Sequence, residues 1–368
     1  MYKRILHSVA IMNRAGEETF LMNVFRNINR EKVLFDFLCC LTEKGDYDDE
    51  IEALGGKVIT YQLSEKKSFF KRLNNFFRLY NILKKIATNY SVFHIHTQHA
   101  MDAFLDASAA KLAGIPNVVV HSHSNNTLYH IKAHKIFRPM LRRLPITRFA
   151  CSASAGMWLF GKRESFQIIC NGIDVKRYGF DLEVRKKNRE KFGWTDYSVI
   201  GHVGSFTYPK NHEFIIRIFE KIHLSNKKVR LVFVGEGELQ REVREQVDKL
   251  GLNDFVQFMG VRDDIDILDQ CFDLLLFPSR YEGLGIVLIE AQCTGLPCLI
   301  SDTIIDEVNI TPKASKLSLE DSAQVWAEKC VELLNDSSER SSFSEALTKS
   351  GYNIANVAQQ LEHFYLNL

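Results

Sequence analysis

The sequence predicts an α/β protein of two doubly wound, Rossmann-like domains facing each other across a cleft. Short apolar runs alternate with helical patterns from end to end, the signature of parallel β-α-β winding. The alternation breaks once, after Asp174, at a charged stretch from Lys176 to Lys191, and then resumes. A chain of 368 residues with 46% hydrophobic content is also long enough for two cores. The first domain covers residues 1–172 and the second 173–351.

Apolar runs at Ile5–Val9, Val33–Leu41, Val58–Tyr61, Val92–Ile95, Val118–Val120, Phe149–Cys151 and Gln167–Cys170 read as strands. Helical spacing separates them at Glu17–Asn27, Ser68–Ala87 and Met101–Ala113. In the second half the strands are Val199–Val203, Arg230–Val234, Phe255–Phe258, Leu274–Phe277 and Leu299–Ser301. Ile354–Leu368 is helical in pattern.

No run of about 18 apolar residues occurs, so a transmembrane helix is not supported. Met1-Tyr-Lys-Arg-Ile-Leu leads straight into a strand without a secretory apolar region. The eight cysteines include no C-x-x-C pair and lie mostly in apolar runs, which favours buried thiols in a cytoplasmic protein. Charge is uneven: residues 1–175 hold 24 Lys and Arg against 15 Asp and Glu, the remainder 23 against 30. In the segment Glu65–Lys85, Phe69, Leu73, Phe76, Tyr80 and Leu83 recur at helical spacing, while Lys67, Lys71, Arg78 and Lys85 fall mainly elsewhere. That pattern fits a core helix with a solvated back, or a helix that also meets anionic lipid head groups. Lys132 to Arg143 forms a second basic stretch. Nucleic acid is not expected, because no recognition motif accompanies these patches.

The most informative segment is Ser279-Arg-Tyr-Glu-Gly-Leu-Gly-Ile-Val-Leu-Ile-Glu-Ala291. It follows an apolar strand, passes through Gly283 and Gly285, and becomes helical at Ile286. Backbone N–H groups at such a helix start form an anion site at the carboxyl edge of a parallel sheet. Glu282 and Glu290 flank it and suit hydroxyl donors rather than phosphate. Phosphate with hydroxyl acceptors on both sides describes a nucleotide sugar.

The pattern Glu-Gly-x-Gly-x-x-x-x-Glu, with Gly295-Leu-Pro297 and Ser301-Asp302, resembles the retaining glycosyltransferases of family 4 (glycosyl transferases group 1). Gly201-His-Val-Gly-Ser-Phe206 with Lys210-Asn-His212, Val232 to Leu239, and the hinge-like Asn171-Gly-Ile-Asp174 add to it. The resemblance implies the GT-B fold, with residues 352–368 crossing back onto an acceptor-side first domain. It implies that the second domain binds the donor through Gly16, Ser205, Lys210, Glu282, Gly283, Leu284, Gly285, Ile286 and Glu290, Gly16 being lent by the first. Glu290 takes the ribose hydroxyls, Glu282 the transferred sugar and Lys210 the diphosphate, while His123 touches sugar or acceptor. Ser205 departs from the family, which commonly has an arginine there; Arg280 is a substitute cation on position alone. The closest branch is that of bacterial capsular and exopolysaccharide enzymes. They move a hexose or N-acetylhexosamine, with a UDP-sugar favoured, to lipid-linked saccharides at the inner face of the cell membrane. No cofactor and no metal is expected.

Histidines cluster in the first domain, but His94 and His96, like His121 and His123, are read as pointing to opposite faces of their strands, which argues against a metal site. A dinucleotide oxidoreductase fits poorly, because neither Ile11–Gly16 nor Gly235–Gln240 has the G-x-G-x-x-G pattern. A non-catalytic transferase-like partner subunit is the remaining alternative, with Ser205 in its favour.

Overall fold

The computed structural model describes residues 2–63, 69–125, 130–336 and 339–368. Lys67 and Ser68 lie outside the described residues, as do the side chains of Phe69, Phe70, Lys71 and Leu73. The chain forms two compact units, Met1–Ile173 with Gly351–Leu368, and Asp174–Ser350.

Unit 1 holds a seven-stranded parallel sheet of β1 (Lys3–Val9), β2 (Val33–Cys39), β3 (Val58–Thr60), β4 (Val92–Thr97), β5 (Asn117–Ser122), β6 (Thr147–Ala150) and β7 (Gln167–Ile168). Its order is β3-β2-β1-β4-β5-β6-β7, so the winding reverses between β1 and β4. One face is closed by the helices Gly16–Asn27 and Ile354–Leu366. The second of these is amphipathic, and its Ile354, Val357, Ala358, Leu361 and Tyr365 are buried against Ile5, Phe35 and Phe37. The opposite face packs against the helices Phe69–Ile86 and Ala100–Leu112. Leu79 and Leu83 of the first are buried there, Phe76 and Tyr80 are half-buried, and Phe77 is 53% exposed.

Unit 2 carries a six-stranded parallel sheet of β8 (Ser198–Val203), β9 (Val229–Val234), β10 (Val256–Phe258), β11 (Leu274–Phe277), β12 (Cys298–Ser301) and β13 (Ala314–Leu317). Its order, β10-β9-β8-β11-β12-β13, reverses between β8 and β11. The strands are short apolar runs because helices cover both faces.

The charged stretch after Asp174 contains a helix, Leu182–Phe192, with no buried residue. Asp181 caps it by accepting from the N–H groups of Glu183 and Val184, and Gly193 ends it in a left-handed conformation. Arg185 and Arg189 anchor it by pairing with Asp273 and donating to the carbonyls of Gln270 and Cys271. The cysteines form no disulfide, and six of the eight are buried. No helix among the described residues is long and apolar enough to cross a membrane.

The helix Ile354–Leu366 supplies core that residues 1–173 lack. Leu361→Ala is expected to destabilise unit 1 by about 2–5 kcal/mol. Scanning calorimetry should show that transition moving down, whereas Trp326→Ala, in the core of unit 2, should move the other.

Candidate active site

In a doubly wound sheet the crevice at the carboxyl ends opens where the winding reverses. In unit 2 that point lies between β8 and β11, and the expected donor residues come from the two segments that leave those strands. Four contacts tie the segments together. Asn211 Nδ2 donates to the Pro278 carbonyl at 3.0 Å, and the Arg280 N–H to that of Pro209 at 2.7 Å. Arg280 Nη1 donates to the Tyr208 carbonyl at 2.7 Å. Lys210 Nζ donates to Glu282 Oε1 at 2.8 Å.

The Lys210–Glu282 pair is largely shielded, with side chains 15% and 11% exposed. Lys210 also stands 4.6 Å over the Phe277 ring. Gly204 makes room for it, since a Cβ there would stand 3.0 Å from Lys210 Cε. Arg280, the substitute cation considered for Ser205, is committed elsewhere: its guanidinium lies 4.2 Å over the Tyr208 ring and bonds the Tyr208 carbonyl. Ser205 is exposed, its hydroxyl 3.4 Å from that of Thr207.

Gly285 adopts φ +69° as the residue before the helix Ile286–Cys293, a conformation that favours glycine. Leu284 is buried beside it, and Gly283 and Ile286 are half-buried. Glu290 lies within this helix and is buried. Burial pushes its carboxyl up to about 7, although the Tyr178 hydroxyl bonds it and Arg177 lies near. Arg177 is itself held at 2.6 Å by Asp266. Arg177 and Tyr178 are neighbours of Glu290 that sequence reading missed; the only signal was their place just after the hinge-like Asn171–Asp174.

In unit 1 the winding reverses between β1 and β4, and a cavity of about 550 Å3 opens there. Ser8, Glu17, Tyr61, Arg72 and His96 are among its lining. Gly16 begins the helix Gly16–Asn27, and a Cβ there would meet nothing within 4 Å, so no steric demand for glycine acts at this position.

His123 does not stand alone. His96 Nδ1 is 2.8 Å from His123 Nε2, and His96 Nε2 is 2.9 Å from His7 Nδ1. His94 Nδ1 is 2.7 Å from the Tyr365 hydroxyl, and the rings of His121 and His123 are 4.1 Å apart. The expectation that His94 and His96, and His121 and His123, point to opposite faces is therefore wrong. Neighbouring residues of a strand alternate, so residues two apart share a face. The expectation of no metal site loses its argument with it, since His7, His94 and His96, and again His96, His121 and His123, bring ring nitrogens within 4.8 Å of one another.

Residues 184–350 match the family model for glycosyl transferases group 1, and residues 15–177 that for glycosyltransferase family 4. The chain is 34% identical to EpsF of Bacillus subtilis (strain 168), named as a glycosyltransferase, over 98% of each chain. The chain belongs to the group 1, family 4 glycosyltransferases. Two further relatives are the capsular polysaccharide biosynthesis glycosyltransferase CapH of Staphylococcus aureus and an Escherichia coli UDP-Gal:alpha-D-GlcNAc-diphosphoundecaprenol alpha-1,3-galactosyltransferase. CapH is 26% identical over 99% of each chain; the galactosyltransferase is 23% identical over 81% of this chain and 79% of its own. Anabaena Alr3699/HepE, solved with UDP-glucose, superposes with a TM-score of 0.80 over the whole of both chains at 19% identity. The fold of this glycosyltransferase is thus GT-B, with two parallel-sheet domains.

Glu290 generates a pH prediction for the transferase. Hydroxyl donors favour the ionised carboxylate, so a nucleotide whose ribose hydroxyls reach Glu290, as the motif implies, is expected to lower the Glu290 pKa and release a proton. Titration calorimetry in buffers of different ionisation enthalpy should show about half a proton released per nucleotide at pH 7 and almost none at pH 9. Affinity should rise between pH 6 and 8. Glu290→Gln should abolish both effects.

Proposed function

We propose that this glycosyltransferase moves a hexose or N-acetylhexosamine from a nucleotide sugar, UDP-linked in the first instance, to a lipid-linked saccharide in exopolysaccharide or capsule biosynthesis. The observation that carries the reading is the arrangement at the β8/β11 reversal: a shielded Lys210–Glu282 pair on one side and the buried acceptor Glu290 in the helix that follows Gly285. A cation beside two carboxylates matches a donor with a diphosphate between two hydroxyl-bearing sugars. The UDP and UDP-glucose of the HepE structures and the UDP-Gal donor and diphosphoundecaprenol acceptor of the E. coli relative support this choice.

On this reading Glu290 accepts from the ribose hydroxyls and Glu282 from hydroxyls of the transferred sugar. Lys210 answers the charge that builds on the leaving diphosphate, helped by N–H groups at the helix start after Gly285. Before donor arrives, Glu282 holds Lys210 in place and offsets its desolvation. The anomeric configuration is retained: the acceptor attacks on the face that the diphosphate leaves, and a departing phosphate oxygen takes the acceptor proton. These side chains and backbone groups supply the charge stabilisation, so the transfer step needs no divalent ion. His123 would contact sugar or acceptor from unit 1.

Lys210→Ala and Glu282→Gln are each expected to lower kcat by about 100–1,000-fold. The assay is sugar transfer from UDP-sugars to a synthetic lipid-diphosphate saccharide with EDTA present. A wild type that binds UDP through Glu290 yet transfers nothing to any acceptor would favour the non-catalytic subunit, and Ser205 would then be the place to look.

With a lipid-linked acceptor the enzyme would work at the cytoplasmic face of a membrane, its basic unit 1 meeting anionic lipid. The helix Ile131–Leu141 fits that contact better than the helix Phe69–Ile86. Its Ile136 and Met140, one turn apart, are 63% and 38% exposed, and Lys132, Lys135, Arg142 and Arg143 are exposed around them. Ile136→Asp with Met140→Asp should reduce co-sedimentation with vesicles containing phosphatidylglycerol at least about tenfold, leaving UDP affinity unchanged.

A further inference from the structure

Parallel register gathers five histidines of unit 1 onto one sheet face. His7 on β1 stands opposite His94 on β4, and His96 on β4 opposite His121 on β5. His123 follows two residues after His121. His7, His94, His96 and His121 are each at most 8% exposed. Their surroundings are apolar: Phe20, Phe37 and Phe149 all approach these rings.

A polar atom buried without a partner is costly, and a core that only had to fill this space would use apolar side chains throughout. Neither ring nitrogen of His121 makes a hydrogen bond of ordinary geometry among the described residues, although the Ile169 backbone lies beside the ring. His7 Nε2 and His94 Nε2 are likewise without one, and His123 Nδ1 faces the Asn171 side chain. Each neutral imidazole carries one lone pair, and a cluster of such rings suits a ligand that accepts lone pairs.

We propose that unit 1 binds one borderline divalent transition-metal ion, with Zn2+ the first candidate, through His96, His121 and His123. One ring nitrogen of each lies within 4.8 Å of the other two. Tetrahedral Zn2+ with bonds of about 2.0–2.1 Å brings its nitrogens to about 3.4 Å apart, so ring movements on the order of 1 Å close the site. His96 Nδ1 and His123 Nε2 already share one hydrogen at 2.8 Å; the ion takes its place, and that proton passes to His123 Nδ1, beside Asn171.

The outer shell is in position. A metal-bound histidine ordinarily donates its second N–H to a fixed acceptor, and His7 Nδ1 lies 2.9 Å from His96 Nε2 to receive it. His96 and His121 are buried, and a neutral imidazole is the form that binds metal. The grouping of His7, His94 and His96 is less suited, because His94 is engaged by the Tyr365 hydroxyl. Of the three proposed ligands, His96 is among the residues lining the 550 Å3 cavity.

One consequence rests on the proposed function, whereas the site itself does not. An ion on His123 withdraws that residue from sugar or acceptor, so Zn2+ should slow transfer while leaving nucleotide binding in unit 2 intact.

The test is a Co2+ titration of the metal-stripped full chain, read by visible absorption and followed by displacement with Zn2+. One equivalent of tetrahedral Co2+ is expected. His121→Ala and His123→Asn should each weaken binding by more than about 100-fold, and His7→Phe by about 10–100-fold as an outer-shell loss. Thermal unfolding checks each variant, and half-buried His123 provides a substitution that spares the core if His121→Ala fails to fold. Absence of a saturable tetrahedral spectrum, or equal affinity in wild type, His121→Ala and His123→Asn, overturns the proposal. UDP titration of the same samples reports on unit 2 separately, so failure of the metal site and failure of the donor site are distinguishable.

Discussion

The reversal of strand order between β8 and β11 is the constraint from which the donor unit follows. Parallel strands wound outward in both directions leave one seam at which no crossover helix closes the carboxyl edge. The segments leaving β8 and β11 meet there, and polar chemistry can be held beside an apolar sheet only if those segments are fastened. Asn211, Arg280 and the Lys210–Glu282 pair do this fastening across the seam. The ion pair therefore carries two demands, since it joins two loops and also presents the cation to whatever occupies the crevice. A buried pair of this kind tolerates loss of both charges better than loss of one.

Glu290 solves a different problem. A carboxylate placed behind a helix start, out of water, is expensive in its ionised form, and its raised pKa records that expense. The Tyr178 hydroxyl and Arg177 lower the cost without removing it. A ligand that brings hydroxyl donors completes the solvation that the fold leaves partial. Arg340 plays a purely structural part nearby, donating to the carbonyls of Asp269 and Phe272 at the end of the helix Ile265–Cys271 and to that of Thr294 at the end of the helix Ile286–Cys293.

Much of this was legible in the sequence, for physical reasons. Strands buried on both faces are continuous apolar runs, so β1, β8 and β11 stand out. The Glu282–Glu290 spacing was legible because strand, glycine turn and helix start are contiguous. The helix Leu182–Phe192 was not, because it buries nothing and is held by Arg185 and Arg189 reaching about 85 residues along the chain. β13 was hidden for a related reason: its four residues, Ala314–Leu317, are all half-buried and lack an apolar run. Arg177 and Tyr178 reach Glu290 only through tertiary packing. The histidine cluster was within reach of sequence reasoning, since His94, His96, His121 and His123 obey the period of two; the error lay in applying that period as a period of one.

The helix Ile354–Leu366 has a consequence for how the chain is made. Residues 1–173 emerge from the ribosome first, yet the face of their sheet that this helix covers stays open until the chain has reached Leu366. All of unit 2 is translated in between, which takes about 10–35 s at about 5–20 residues per second. The nascent first domain spends that interval with Ile5, Phe35 and Phe37 incompletely covered, while the second domain, continuous in sequence, can fold as soon as it is released. The half that is synthesised first is thus the last to have its core complete.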